Sequence, residues 1–169
     1  MDDWLKWWEL ASYIVTVIGL PLAIVIFMLE QRKARLNEED EIQQLLASNY
    51  TDFLKLVLDN PDLRLLVADP VKPRSDEDRE RIYAIFSILV SLFERAFVLT
   101  YNDRMSPQQK RYWQTWRDFM NEWCARKDFR DLLPRMLVGE DPDFVTYLSA
   151  LAKETEARQL QMKQMQAKH

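Results

Sequence analysis

The sequence contains very little glycine, cysteine and histidine, and each shortage excludes a class of site. The two glycines, Gly19 and Gly139, are far apart, which excludes the glycine-rich loops that bind phosphates. The single cysteine, Cys124, can form neither an internal disulfide nor a cysteine-based metal site, and it is typical of a reducing compartment. The only histidine, His169, lies in a polar tail, where it cannot serve a folded active site. We therefore expect no enzymatic activity, no metal and no cofactor.

No block of basic residues dominates the charge pattern. The chain has 23 basic and 27 acidic residues, which gives a formal net charge of -4. Binding to nucleic acid depends on a basic patch that neutralises phosphates. We therefore expect no nucleic-acid partner.

What the sequence does have is a long apolar run near its N-terminus. The 20 residues from Leu10 to Leu29 include no charged side chain. A helix of that length spans about 30 Å, the thickness of the hydrocarbon core of a bilayer. Tryptophans before the run and basic residues after it are typical of the two membrane interfaces, and the basic side normally stays in the cytoplasm. The residues that mark the two ends are Trp4, Trp7, Trp8, Arg32, Lys33 and Arg35. The sequence thus predicts that residues 1–30 form a single transmembrane anchor, with the N-terminus outside.

Two other interpretations of this run are weaker. A cleaved signal peptide would need a basic start, a shorter apolar stretch and a small-residue cleavage site, and none of these is evident. A helix buried inside a soluble protein would leave the three tryptophans before the run unexplained.

Small residues recur along one side of the predicted span. Ser12, Thr16, Gly19 and Ala23 follow each other at spacings of four, three and four, which places them on one helical face. Such a face allows two membrane helices to approach closely, although small residues are also common in membrane helices by chance.

Residues 31–158 have the pattern of an all-α domain. Apolar residues at spacings of three and four predict that the anchor continues as one long helix to about Asp59. Capping signals predict that further helices begin at Asn60–Pro61, Ser75–Asp78, Ser106–Gln109 and Asp141–Pro142. We expect an antiparallel bundle of four or five helices in the cytoplasm, followed by a flexible tail at residues 159–169.

Two segments of this domain carry more specific expectations. The uncharged stretch from Ile82 to Phe93 suits the central helix of a bundle and is too short to cross a bilayer. The charges of Glu94 and Arg95 follow it directly. They form either a ligand or switch site with a partner such as Arg117 or Arg130, or an ion pair that fixes helix register.

The next helix is rich in aromatic residues, which we interpret as core. The side chains that share its apolar face are Trp113, Trp116, Met120 and Trp123. The basic residues after it either contact anionic lipid headgroups or form a solvated face; they are Arg126, Lys127, Arg130 and Arg135.

Several of these segments resemble a group of uncharacterised bacterial membrane-anchored proteins with a cytoplasmic helical domain. The resemblance rests on Leu20–Ala23 with Glu30–Arg32, on Phe53–Leu54 with Asn60–Leu63, on Phe93–Ala96, and on Trp113, Trp116 and Trp123 with Arg126, Phe129 and Arg130. It implies an anchored topology in the bacterial plasma (inner) membrane, and it implies no catalytic residue.

Two functions of different class fit this topology. The first is a non-enzymatic protein that self-associates in the lipid bilayer as a homo-oligomer and perturbs or opens the membrane. The second is a membrane-tethered adaptor or sensor whose bundle binds another protein or a small ligand. The oligomeric state and the effect of expression on the membrane potential distinguish them.

Overall fold

A computed structural model describes Trp7, residues 19–67, Pro73 and residues 75–166 of the chain. These residues form five α-helices and no strand, which confirms the predicted all-helical bundle. The helices are α1 Leu20–Leu58, α2 Asp76–Thr100, α3 Pro107–Cys124, α4 Lys127–Met136 and α5 Pro142–Gln166. The chain divides into two compact units, Met1–Gln44 and Leu45–His169, and the boundary falls within α1.

Helix α2 is the central helix of the second unit, as the sequence predicts. It packs against α3, α4 and α5, and α3 also packs against α4 and α5. The residues that α2 buries most completely are Phe86, Leu89, Val90, Phe93 and Ala96. These positions recur at spacings of three and four, so they form one apolar stripe along the helix.

Among the described residues, α2 is also the one helix that is long and apolar enough to cross a membrane. Half of its apolar window is buried inside the chain, as in the core helix of a bundle. Its place in the chain differs from that of the predicted N-terminal span. Residues 10–18 of that span lie outside the described residues.

The aromatic residues of α3 lie in the core, as predicted. Trp113, Trp116 and Trp123 are all less than a tenth exposed, and Met120 is fully buried. Tyr50 of α1 makes an edge contact with the Trp116 ring, and its hydroxyl accepts a hydrogen bond from Trp123 Nε1 at 3.2 Å. These contacts hold the C-terminal part of α1 against α3, and the Trp123 hydrogen bond satisfies a buried polar group.

Three of the predicted helix starts are confirmed in detail. Helix α5 begins at Pro142, where the Asp141 carboxylate accepts from the Asp143 and Phe144 backbone N–H groups. The Ser75 hydroxyl accepts from the Asp78 backbone N–H at the start of α2. At the start of α3, Ser106 and Gln109 bond to each other's backbone N–H groups in a full capping box, with Pro107 in the first turn. Each cap satisfies backbone donors that the first helical turn leaves unpaired.

The prediction of a further short helix after Asn60 is wrong. Only a 3₁₀ turn forms, at Pro61–Leu63, and Arg64 then takes a left-handed conformation with φ of 51°. The Asn60 side chain does not cap this turn, because it donates to the Leu56 carbonyl and accepts from the Arg81 guanidinium. These bonds close the end of α1 and tie it to α2.

The C-terminal helix extends beyond the residue at which the domain was predicted to end. Gly139 has a φ of 96°, which side chains other than glycine rarely adopt, and it lies in the turn between α4 and α5. Helix α5 then continues to Gln166, so the expected boundary at residue 158 falls inside it. The side chains of residues 160–166 are exposed, and the mobility of this segment stays a prediction.

Candidate functional site

The apolar part of α1 is exposed on every side. All ten side chains from Leu20 to Leu29 are exposed, and the eight large apolar ones among them are between 47% and 64% exposed. Successive residues of an α-helix point about 100° apart, so ten in a row cover the full circumference. A helix on the surface of a soluble domain has one apolar stripe and buries it. This segment has no polar face and buries none of its sides.

The structure describes only some of the residues predicted to mark the ends of the anchor. Arg32, Lys33 and Arg35 are exposed on α1, within two turns of Leu29. Trp7 is also exposed, while Trp4 and Trp8 lie outside the described residues. After the exposed apolar residues, the helix continues with the acidic Glu30, then Gln31 and these basic side chains.

The structure likewise describes only two of the four residues of the predicted association face. Gly19 is half-buried and Ala23, one turn further on, is exposed. Ser12 and Thr16 lie outside the described residues. The association of helices through this face stays a prediction.

Glu94 contacts the turn before α5 instead of an arginine. Its Oε1 accepts a hydrogen bond from the Asp141 backbone N–H at 2.5 Å, and its carboxylate shares a hydrogen bond with the side chain of Glu140. Arg95 is exposed on the neighbouring side of α2. Neither Glu94 nor Arg95 forms an ion pair within the described part of the chain, so the ion pair expected between them is not formed there.

The two arginines named as partners for Glu94 are engaged elsewhere. Arg130 donates to the carbonyls of Cys124 and Ala125 at 2.7 and 2.8 Å, and it lies 3.6 Å from a carboxylate oxygen of Glu156. It thereby satisfies carbonyls that the end of α3 leaves unpaired. The charge of Arg117 acts on the hydroxyl of Tyr147.

Glu140 has a raised pKa. The hydrogen bond to Glu94, together with burial and the negative charge of Glu94, raises the pKa of Glu140 from 4.5 to about 7. Two carboxyl groups share a hydrogen bond only when one of them is protonated. The pair therefore ties α2 to the turn before α5 most strongly in its protonated form.

This shift predicts that the stability of the bundle decreases as the pH increases. Glu140 binds its proton in the folded chain up to about pH 7, whereas in the unfolded chain it releases the proton near pH 4.5. The free energy of unfolding should therefore be highest below pH 4.5 and should fall through the window up to pH 7. We expect a loss of about 1 kcal/mol between pH 5 and pH 8, since Glu140 is partly solvated.

Urea unfolding of the wild type and of Glu140→Gln at both pH values measures this effect. Glutamine keeps a donor for the Glu94 carboxylate and has no proton to lose, so the difference between the two proteins should grow as the pH rises. An equal pH dependence in both proteins would show that Glu140 does not carry the shift.

The four basic residues after α3 each contact another group of the chain, and Lys127 and Arg135 remain exposed. Arg126 is 7% exposed and donates to the backbone carbonyls of Leu65 and Val67 while it pairs with Asp128. Lys127 pairs with Asp131 on the surface of α4, and the Arg135 guanidinium lies 4.4 Å from the centre of the Tyr83 ring. Arg126, Arg130 and Arg135 therefore contact other segments of the bundle, and the Lys127–Asp131 pair is exposed. Contact of these residues with lipid headgroups stays a prediction.

Cys124 is a structural side chain. It is fully buried, and burial raises the pKa of its thiol to about 12, with a smaller opposing effect of the Arg130 charge. A thiol must ionise to react as a nucleophile or to bind a metal. Within the described residues no group of three or more histidine, cysteine, aspartate or glutamate side chains is placed to bind a metal.

Two of these contacts do not follow from the sequence pattern. The pattern predicts a helix start at Asp141 and carries no expectation for Glu140, although Gly139 before them is a signal of a sharp turn. Nothing in the pattern around Arg126 indicates that its guanidinium is buried, because its partners Leu65 and Val67 are about sixty residues earlier.

Comparisons of the chain with protein-family models, with curated proteins and with solved structures found no significant match. The resemblance to bacterial membrane-anchored proteins therefore stays a prediction from the residues.

Proposed function

We propose that this chain is a non-enzymatic protein of the bacterial inner membrane that self-associates through its helices and opens or perturbs the bilayer. The observation that carries the proposal is the exposure of every apolar side chain from Leu20 to Leu29. Each buried leucine, isoleucine, valine or phenylalanine near the centre of a span favours insertion by about 0.3–0.6 kcal/mol. A bilayer would cover all sides of this segment at once, which no single packed helix could do.

The charges around the segment support one orientation. Arg32, Lys33 and Arg35 are exposed and follow the apolar residues after Glu30 and Gln31, and the N-terminal side holds Asp2 and Asp3 with Lys6 as its only basic side chain. Basic residues beside a span remain in the cytoplasm. The bundle is therefore proposed to lie in the cytoplasm and the N-terminus outside.

Expression of the full chain in bacterial cells tests the proposal. We expect a fall of the membrane potential, read with a voltage-sensitive dye, and a discrete homo-oligomer when the protein is purified in detergent. Leu20→Arg should prevent insertion and thereby abolish both the fall of the membrane potential and the homo-oligomer. An arginine at the centre of a span raises the free energy of insertion by about 2.5–3.5 kcal/mol. Leu160→Arg is the matched control, since Leu160 is similarly exposed but lies near the end of α5.

An unchanged membrane potential together with a monomeric protein would contradict the proposal. That result would favour the alternative of a membrane-tethered adaptor or sensor. A groove of about 460 Å³ between α4 and α5 gives this second candidate a place to bind a ligand, since Leu133, Leu137, Val138 and Val145 make its lining largely apolar. Val138 is 81% exposed there.

A further inference from the structure

We propose that a second copy of this chain docks, as a twofold dimer, into the groove between the C-terminal part of α1 and helix α2. The proposal deepens the self-association proposed above and rests on it. The groove has a volume of about 430 Å³. Its apolar lining is Phe53, Leu56, Ile88 and Leu92, and two charged residues, Asp52 and Arg95, also line it.

The first observation is an uncovered face of α2. Half of its apolar window is buried in the bundle, and the other half consists of half-buried and exposed residues. Ala84, Ile88, Ser91 and Val98 are exposed at spacings of four, three and seven, so they share one side of the helix. Ile88 is 50% exposed and Val98 is 59% exposed. Ser91 and Arg95 also lie on this side, so Ile88 forms a small apolar centre with polar residues beside it, as in the core and rim of a protein interface.

The second observation is the arrangement of charge in the groove. Asp52 belongs to α1 and Arg95 to α2, so each helix contributes one charge, and the two charges have opposite signs. Arg95 forms no ion pair with any residue that the structure describes. Asp52 pairs with Lys55 at 2.9 Å, but both side chains are more than 60% exposed, so this pair contributes little.

A twofold axis makes such a surface complementary to itself. In an isologous contact, residue i of one copy meets residue j of the other, and j meets i. In the proposed dimer the twofold axis runs along the groove, so that α1 of each copy faces α2 of the other and Arg95 of each copy lies opposite Asp52 of its partner. Two ion pairs then lie on either side of the axis. A membrane surface rich in anionic lipid would instead meet the negative charge of Asp52 at the same site.

Charge reversal of the two residues tests this docking in the full chain, purified in detergent, by light scattering corrected for bound detergent. Arg95→Asp places two carboxylates opposite each other at both pairs, and Asp52→Arg places two cations there. Each variant alone should associate at least about tenfold more weakly than the wild type, because like charges across an interface repel. The two variants mixed in equal amounts should associate again, as one-to-one heterodimers, because every contact then joins opposite charges.

Val138→Asp is the control, since it adds a charge at a more exposed apolar residue outside the groove. It should keep the wild-type mass, and unchanged circular dichroism should show that all three variants fold. An unaltered mass in both charge-reversal variants would overturn the groove as the interface and leave association to the anchors. A monomeric wild type would instead contradict the proposed function itself.

Discussion

Deletion of residues 1–30 is expected to move the protein from the membrane fraction to the soluble fraction while the bundle stays folded. The deletion removes all ten exposed residues of the apolar segment, from Leu20 to Leu29. The core of the remaining chain is built from residues of the unit Leu45–His169, which holds α2 to α5 and the end of α1. The buried core residues, from Leu46 onward, are therefore all retained.

Two measurements check the result. Carbonate extraction followed by centrifugation reports the location of the protein, and thermal melting followed by circular dichroism reports its folding. We expect a helical, cooperatively melting protein in the supernatant. A fragment that aggregates or lacks cooperative melting would contradict the independent folding of residues 31–169. Deletion of residues 160–169 is the control, because the described side chains of this segment, residues 160–166, are exposed; this variant should stay in the membrane.

Trp116→Ala should destabilise the bundle by about 3–5 kcal/mol, the usual cost of removing a large aromatic side chain from a packed core. Trp116 is 3% exposed, and its ring meets the edges of the Tyr50 and Phe119 rings at 5.9 and 5.7 Å between centres. Those two rings also stack on each other, at 4.2 Å. The alanine would leave a cavity at the place where α1 meets α3, so the neighbouring rings would lose packing as well.

Urea unfolding of the bundle without residues 1–30 measures this cost at fixed pH. Val138→Ala serves as the control, because a side chain that is 81% exposed should change the stability by less than about 0.5 kcal/mol. A Trp116→Ala protein as stable as the wild type would place Trp116 outside the cooperative core.

The sequence predicts the helices well because their start signals are local. Ser75 and Ser106 each bond to a backbone N–H three residues later, so the cap can be recognised from a short stretch of sequence. The apolar stripe of α2 likewise follows from spacing alone, since one face of a helix is fixed by its period. The wrong prediction of a helix after Asn60 shows the limit of local signals. The Asn60 side chain, expected to cap that helix, accepts a hydrogen bond from Arg81 of α2, which is 21 residues later.

The candidate site is less predictable, because it depends on contacts between distant segments. Glu94 and Arg95 stand out in the sequence as charges that follow an apolar stretch, but their neighbours do not follow from their positions. Glu94 meets Asp141, 47 residues later, and Arg95 lies in a groove with Asp52 of α1. The packing of the bundle, and not the local sequence, places the side chains of Glu94 and Arg95 next to different segments.

Labelling of single cysteines in spheroplasts tests the membrane topology most directly. Asp3→Cys and Lys110→Cys each add one reactive thiol, on the N-terminal side of the span and on an exposed residue of α3. The native Cys124 should stay silent, since it is buried and its pKa is raised to about 12. We expect a membrane-impermeant maleimide to label Asp3→Cys in intact spheroplasts and to label Lys110→Cys only after lysis. Labelling of both positions only after lysis would show that residues 10–29 do not cross the membrane, and would contradict the proposed anchor.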